Sequence, residues 1–429
     1  MDVAVIFAAL FVLLFLGMPI AFALGLMGVI GLAWRIGINP ALSSLGTTAS
    51  DTVLNYDFAV LPLFILMGSL VARSGVARDL YTAANAWLGG LRGGLAMATV
   101  TACAGFGAVC GSSLATAATM AKVAVPPMRA YRYHDSLAAG SVAAGGTLGI
   151  MIPPSVPMVF YGIMTQTDIG KIFVAGILPG ILGAILYSLA VWFTVWRNPS
   201  MGPAGPHTPF REKVMALRGV WGMLSLFTLV IAGIYGGFFT PTEAAGVGAG
   251  GAMLLSVIGR KVSLRDYGEV LVESARTTIM MITILIGALL FATYINVAGV
   301  PVVIGKWIQS LDIAPIVVIL LITAIYVVLG CVMESLSMML LTVPVFYPIV
   351  AAMGYDLIWF GILVITVIEI GLITPPIGLN IFVLRAVLPD IPMQTVFRGV
   401  MPFIGADIVR VIILILFPAI SLFLPSLMR

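Results

Sequence analysis

Twice in this chain an apolar stretch long enough to cross a membrane is interrupted near its middle by the pattern Gly-x-x-x-Pro-Pro. The two patches are Gly149-Ile150-Met151-Ile152-Pro153-Pro154 and Gly371-Leu372-Ile373-Thr374-Pro375-Pro376. Adjacent prolines remove two backbone donors and fix φ, so an uninterrupted helix is not expected through either patch. Non-helical backbone at that depth is tolerated only where it is packed in protein or lines a cavity. That the surroundings are a bilayer follows from composition. Of 429 residues, 61% are hydrophobic and 9% charged, against roughly a quarter charged in a soluble domain. Too few charges remain to cover such a body in water, which excludes a soluble enzyme, a nucleic-acid binder and a disordered scaffold.

A hydrocarbon core about 30 Å thick takes about 20 helical residues. Full spans are expected at 57–72 with its flanks, 172–196, 220–239, 278–297 and 401–425, with a shorter glycine-rich crossing at 244–258. Residues 3–34 fit either one strongly tilted helix or a helix broken at Pro19. The amino terminus carries Asp2 where a signal peptide would be basic, so this run reads as a retained span. Residues 94–128 and 314–351 are interrupted by Gly111-Ser112-Ser113 and by Glu334-Ser335-Leu336-Ser337, and read as re-entrant helical hairpins. Residues 136–166 and 357–388 hold the two proline breaks and read as discontinuous helices. On this topology Arg73, Arg78, Arg92, Arg129 and Arg132 share a face with the loop 197–219 and an amphipathic stretch at 260–276, and that basic face is cytoplasmic. Cys103, Cys110 and Cys331 lie in apolar stretches and read as buried small residues.

At an offset of 222 residues the chain matches itself. Ser113 falls on Ser335, Val123 on Val345, Pro126 on Pro348, Gly149 on Gly371, Pro153-Pro154 on Pro375-Pro376 and Asp168 on Asp390. After one inserted residue, Gly176 falls on Gly399 and Pro179 on Pro402. An odd number of crossings separates the copies, which inverts the second. Inverted repeats with discontinuous helices are a secondary-transporter architecture, with substrate and coupling ion at the repeat interface. The expected fold is therefore an all-α polytopic membrane protein of inverted structural repeats, with two re-entrant helical hairpins and two discontinuous helices. Its parts are an N-terminal scaffold helix and loop (1–56), repeat one (57–196), central scaffold helices with the cytoplasmic amphipathic stretch (197–277) and repeat two (278–429).

Each break exposes uncapped carbonyls that suit Na⁺ and N–H groups that suit a carboxylate. Ser112, Ser113 and Thr116 at the first tip, and Ser335 and Ser337 at the second, add hydroxyls, while Asn380 adds an amide. Small polar residues commonly serve only as helix glue in membranes, but placement at matched breaks favours a site. Substrate contacts are assigned to Ser113, Thr116, Ser155, Ser337 and Asn380. Intramembrane acids default to function. Glu334 reads as a residue that neutralises a cation or tunes its site, and Glu369 as a proton site or a cap for the loosened backbone. Asp407 and Arg410 read as an i, i+3 ion pair, and Lys122 as a snorkelling side chain. His134 and His207 are the only histidines and fall in loops, with no His-Glu-x-x-His or clustered-aspartate motif, so an intramembrane enzyme is disfavoured.

Four segments resemble a known family. They are Phe239-Thr240-Pro241-Thr242-Glu243-Ala244-Ala245, Gly111-Ser112-Ser113-Leu114-Ala115-Thr116 and the two proline breaks with Ser155 and with Ile377-Gly378. Across essentially the whole chain the pattern is similar to the large membrane subunit of tripartite ATP-independent periplasmic (TRAP) transporters, the dicarboxylate-type M subunit. The resemblance implies a sodium-driven elevator in the bacterial inner membrane, with two or more Na⁺ as coupling ions. It also implies a small four-helix membrane subunit and a periplasmic binding protein that delivers an organic acid, such as a dicarboxylate or a sugar acid of the sialic acid kind. The family's sodium positions correspond here to Ser112, Ser113, Gly149 and Ile152 in repeat one, and to Glu334, Ser335, Gly371 and Thr374 in repeat two. Many of these ligands are backbone carbonyls. Thr374 supplies a hydroxyl where Ile152 has none, so the two ion sites are not strict equivalents. The rival within transport is a stand-alone sodium–dicarboxylate elevator symporter. In the segment around Thr240, Thr240 or Thr242 is expected to cap a helix and Glu243 to sit at its positive end.

Overall fold

The computed structural model describes residues 2–259, 263–310 and 313–428, and among them every regular element is a helix. The apolar N terminus is two helices, α1 (Asp2–Phe15) and α2 (Ile20–Ile36), divided just before Pro19, followed by α3 (Ile38–Leu54). The next expected span, 57–72, is a 3-10 turn at Tyr56–Ala59 running into α4 (Val60–Arg73), and after Gly75 at φ 79° a separate helix α5 (Val76–Leu88) follows. The first hairpin is α6 (Gly94–Cys110) and α7 (Ser113–Ala130). The first discontinuous helix is α8 (Asp135–Thr147), a 3-10 turn at Leu148–Ile150, the prolines, and α9 (Val156–Thr165). A long helix α10 (Ile169–Arg197) follows, then α11 (Phe210–Tyr235) and α12 (Pro241–Gly259).

The second half runs α13 (Leu264–Val297), α14 (Val300–Ser310), the hairpin α15 (Pro315–Gly330) and α16 (Ser335–Ala352), the discontinuous pair α17 (Leu357–Ile373) and α18 (Leu379–Val387), then α19 (Met393–Leu416) and α20 (Ala419–Ser426). Helix α16 begins and ends 222 residues after α7, and α17 begins 222 residues after α8. The sequence offset is thus an offset of helix ends. Among the described residues seven helices are long and apolar enough to cross a membrane, which makes this a multi-pass membrane protein.

Three expectations about spans change. The amphipathic stretch 260–276 and the span 278–297 are one 34-residue helix, α13, with Arg260 and Lys261 lying outside the described residues. No proline interrupts 264–297. Its start is a capping box, in which Ser263 Oγ accepts from Asp266 N–H (3.3 Å) and Asp266 Oδ2 from Ser263 N–H (2.9 Å). The span expected from 220 begins at Phe210, inside the polar loop. The last span ends at Leu416, because the residue before Pro418 is pushed out of the helical region, and the chain restarts as α20. At α12 the cap is Thr240. Its hydroxyl accepts from Glu243 N–H (3.2 Å) and Glu243 accepts from Thr240 N–H (2.8 Å).

The two halves interlock. Helix α9 packs on the hairpin arm α16 of the other half, α18 packs on α7, α8 packs on α19, and α10 packs on α17. Glycines make the tightest crossing possible. A Cβ on Gly399 of α19 would stand 1.9 Å from the Ser136 carbonyl oxygen of α8. Outside this knot α2 lies along α13 and α4 along α12. There Gly28 meets the Phe291 backbone, where an added Cβ would be 2.7 Å from the nitrogen. Close backbone approach at small residues is the usual way membrane helices associate.

At one end of the knot Arg129 ties the halves together. It pairs with Asp135 at the start of α8 (2.7 Å) and with Asp390 before α19 (2.5 Å). The guanidinium hydrogen bond holds the Asp390 carboxyl below its ordinary range. A depressed carboxylate stabilises the fold above its unfolded pKa of about 3.9 and loses that contribution as pH falls through the folded value. Asp390→Asn is therefore expected to lower the melting temperature slightly at neutral pH and low salt. The difference should vanish in molar salt or in acid, because the pair is half-exposed and screened. A deficit that persists in high salt would show that Asp390 acts by something other than this pair.

Candidate functional site

Each hairpin tip meets the break of its own half. Gly107 of α6 touches the first break, since a Cβ there would lie 2.4 Å from Gly149 Cα. Gly111, at φ 63°, turns the tip against the Pro154 carbonyl. In the second half a Cβ on Gly330 would lie 3.0 Å from Gly371 Cα, and the Cys331 thiol points at the Pro375 carbonyl (3.5 Å). The Pro153-Pro154 and Pro375-Pro376 bonds are both cis.

Around the first contact, oxygen atoms converge. Ser112 is the N-cap of α7, its hydroxyl accepting from Ala115 N–H (3.4 Å), and Ser113 is buried beside it. The Thr116 hydroxyl is fully buried, faces the Cys110 thiol, a weak partner, and makes no other hydrogen bond among the described residues. A Cβ built on Gly149 would be 3.0 Å from Thr116 Oγ1 and 3.4 Å from the Ser112 carbonyl oxygen, so only a glycine leaves that space open. Ser155 is spent locally, donating to the Ile150 carbonyl (2.6 Å) across the break. The Ile152 side chain turns the other way, onto Gly180 of α10, and its N–H bonds the Leu148 carbonyl.

At the second tip the Glu334 carboxylate caps α16. It accepts from Leu336 N–H (3.0 Å), Ser337 N–H (3.2 Å) and the Ser335 hydroxyl (2.7 Å). A carboxylate is favourable at the positive start of a helix. Thr374 ends α17, its hydroxyl donating to the Ile370 carbonyl (2.6 Å) and its N–H bonding the Gly371 carbonyl (3.2 Å). Asn380 crosses over to the first half, because α18 packs on α8 as well as on α7. Its amide donates to the Ala143 carbonyl (3.0 Å), and its buried Oδ1 has no partner among the described residues.

Two features are not evident from local sequence spacing. A cavity of about 260 Å³ runs between the first tip and helices α4 and α13, lined by Ser112, Val156, Gly68, Arg73, Glu273 and Thr277. Arg73 is held there by Glu269 (2.8 Å) and Glu273 (3.2 Å). The second feature is a buried cluster. Asp407 and Arg410 form the expected i, i+3 pair (2.9 Å), but Arg410 Nη2 also bonds Glu369, and all three side chains are fully buried. Glu369 therefore answers an arginine instead of capping the break. Tyr187 of α10 donates to Asp407 (2.6 Å) and lies 3.2 Å from the Thr147 hydroxyl. Of these residues local spacing picked out only the Asp407–Arg410 pair, and nothing local singled out Tyr187.

Among the described residues no group of three or more His, Cys, Asp or Glu side chains is arranged to hold a metal. The oxygens at the tips are mostly neutral hydroxyls and carbonyls. Residues 7–420 match the family model of the DctM component of tripartite ATP-independent periplasmic transporters. The chain belongs to that family. It is 39% identical over 389 residues to the C4-dicarboxylate TRAP transporter large permease protein DctM of Pseudomonas aeruginosa, covering 90% of each chain. It is 32% identical to the sialic acid TRAP transporter large permease protein SiaM of Vibrio cholerae, covering 97% of this chain and 96% of the relative. It is 33% identical to the ectoine/5-hydroxyectoine permease UehC of Ruegeria pomeroyi, covering 99% of both. In fold, this DctM-family chain is similar to the YdaH transporter of Alcanivorax borkumensis, with TM-score 0.67, 13% identity, and coverage of 93% of this chain and 97% of that one. This DctM-family chain is a TRAP transporter large permease subunit and not an enzyme.

Proposed function

We propose that this permease subunit drives sodium-coupled uptake of a carboxylate-bearing solute across the bacterial inner membrane. The working parts are two inverted repeats whose hairpins and broken helices move as an elevator against the remaining helices. The observation that carries the reading is the oxygen cluster of Gly149, Ser112 and Thr116, in which the buried Thr116 hydroxyl has only the weak Cys110 thiol as a partner among the described residues. Neutral oxygens on a helix break suit a hard monovalent cation, and the half-helix starts suit an anionic group. Ser112, Thr116 and Gly149 would hold one ion, and Ser335, Gly371 and Thr374 the tip and break of a second. Relatives named for C4-dicarboxylates and sialic acid support an organic acid as cargo. The family description supports a periplasmic binding protein and a small membrane subunit as partners.

Two measurements test this. In liposomes, uptake is expected only with the small subunit, the binding protein and an inward sodium gradient, whereas uptake by this chain alone would sink the reading. For the purified protein, sodium and not potassium is expected to raise the melting temperature. An ion at 100 times its dissociation constant stabilises by about 2.7 kcal/mol. Equal shifts by both ions at matched ionic strength would count against specific sites.

A further inference from the structure

We propose that Tyr187, Asp407, Arg410 and Glu369 form a positioning network that couples the two helix breaks, so that an ion bound at one is felt at the other. The inference rests on the sodium reading above. Its basis is that the network is assembled from equivalent positions of the two repeats. Thr147 and Glu369 are separated by the repeat offset of 222, and Tyr187 and Arg410 by that offset plus the one inserted residue. Each half thus contributes the same pair in its own chemistry, Thr147 with Tyr187 (3.2 Å) in one and Glu369 with Arg410 in the other. Asp407 closes the link between them, accepting from Tyr187 (2.6 Å) and pairing with Arg410 (2.9 Å).

The ends of this chain of bonds lie at the breaks. Thr147 is the last residue of α8, directly before the 3-10 turn that carries Gly149. Glu369 stands two residues before Gly371. Every member is buried, and the Arg410 guanidinium is packed against Gly183 of α10, where an added Cβ would stand 2.2 Å from Nη1. Buried hydrogen bonds among charged groups are stiff and expensive to break, because each separated partner is left without water. A shift of one break therefore displaces its partner across the network more readily than it ruptures the bonds. Such a link is a physical route for coupling between two sites.

Tyr187→Phe removes the hydroxyl that links Thr147 to Asp407 and keeps the ring packed edge-on against Phe403. For the purified protein, the Hill coefficient of sodium binding is expected to fall from about 2 to about 1 with the same number of ions bound. Hydrogen exchange in sodium-free buffer is expected to rise at both 148–155 and 371–378. An unchanged Hill coefficient, or exchange that rises at the first break alone, overturns the proposal. A structural role would lower the melting temperature without changing the Hill coefficient. If the wild-type chain shows no response to sodium, the sodium reading fails, and the exchange pattern alone decides whether the breaks are tied. Should Tyr187→Phe fail to fold, Thr147→Val cuts the same link from its other side and is read the same way.

Discussion

Arg410→Met is expected to destabilise the folded chain by about 3–5 kcal/mol, the usual cost of removing one partner from a buried ionic group. Glu369 and Asp407 would both be left buried without their cation. Equilibrium unfolding in mixed micelles measures the loss, and a change under about 1 kcal/mol would mean that the carboxylates are neutralised by other means. The companion test replaces all three charges, as Glu369→Leu, Asp407→Leu and Arg410→Met together. Apolar replacement of a complete buried ionic group is often neutral or stabilising, so most of the lost stability should return. Sodium cooperativity should not return with it, which separates holding the fold together from tying the breaks.

Gly107→Ala is expected to abolish sodium-dependent uptake while the protein still inserts and folds. The new Cβ would stand 2.4 Å from Gly149 Cα; a Cβ is fixed by its own backbone and the Cα is backbone, so no side chain can swing aside. Overpacking of this kind costs about 1–3 kcal/mol and is relieved by moving backbone. The movable backbone is the break, and displacing it separates Gly149 from Thr116 Oγ1 and the Ser112 carbonyl. Sodium affinity should drop at least about tenfold, equivalent to about 1.4 kcal/mol. Gly330→Ala, with 3.0 Å to Gly371 Cα, should do the same more mildly. Gly250→Ala on α12 meets nothing within 4 Å and serves as the control. Wild-type sodium dependence in Gly107→Ala would show that the tip and the break do not form the ion site.

Much of this arrangement was legible in the amino-acid order, because its strongest signals act locally. Proline and glycine stop helices wherever they stand, so Pro153-Pro154, Pro375-Pro376 and Gly111 marked real helix ends, and the 222-residue offset returned as the offset of α7 to α16. The same local logic did not decide 3–34, where a tilted helix and a broken one are equally apolar. It also split α13 in two, because the change from amphipathic to apolar composition at about 277 resembles a boundary although the backbone continues through it. The acids were harder to read. Glu334 caps its own helix, a contact of one to three residues that the sequence holds in full. Glu369 pairs with a residue 41 positions away, and Asp407 is bonded by one 220 positions away. Local spacing showed only the Asp407–Arg410 part of that cluster.

From sequence alone came the solvent this chain folds in, the points where its helices end and the duplication of the pattern. All three depend on composition, on steric limits of single residues, or on a repeat that can be counted. The tertiary structure decided which half each segment serves. Helix α18 carries Asn380 into the first half, α9 lies on the second hairpin, and Tyr187 meets Asp407 across the junction. The reason is physical. A buried polar group must find a partner in space, and when two similar repeats interlock, that partner comes from whichever copy the packing brings close.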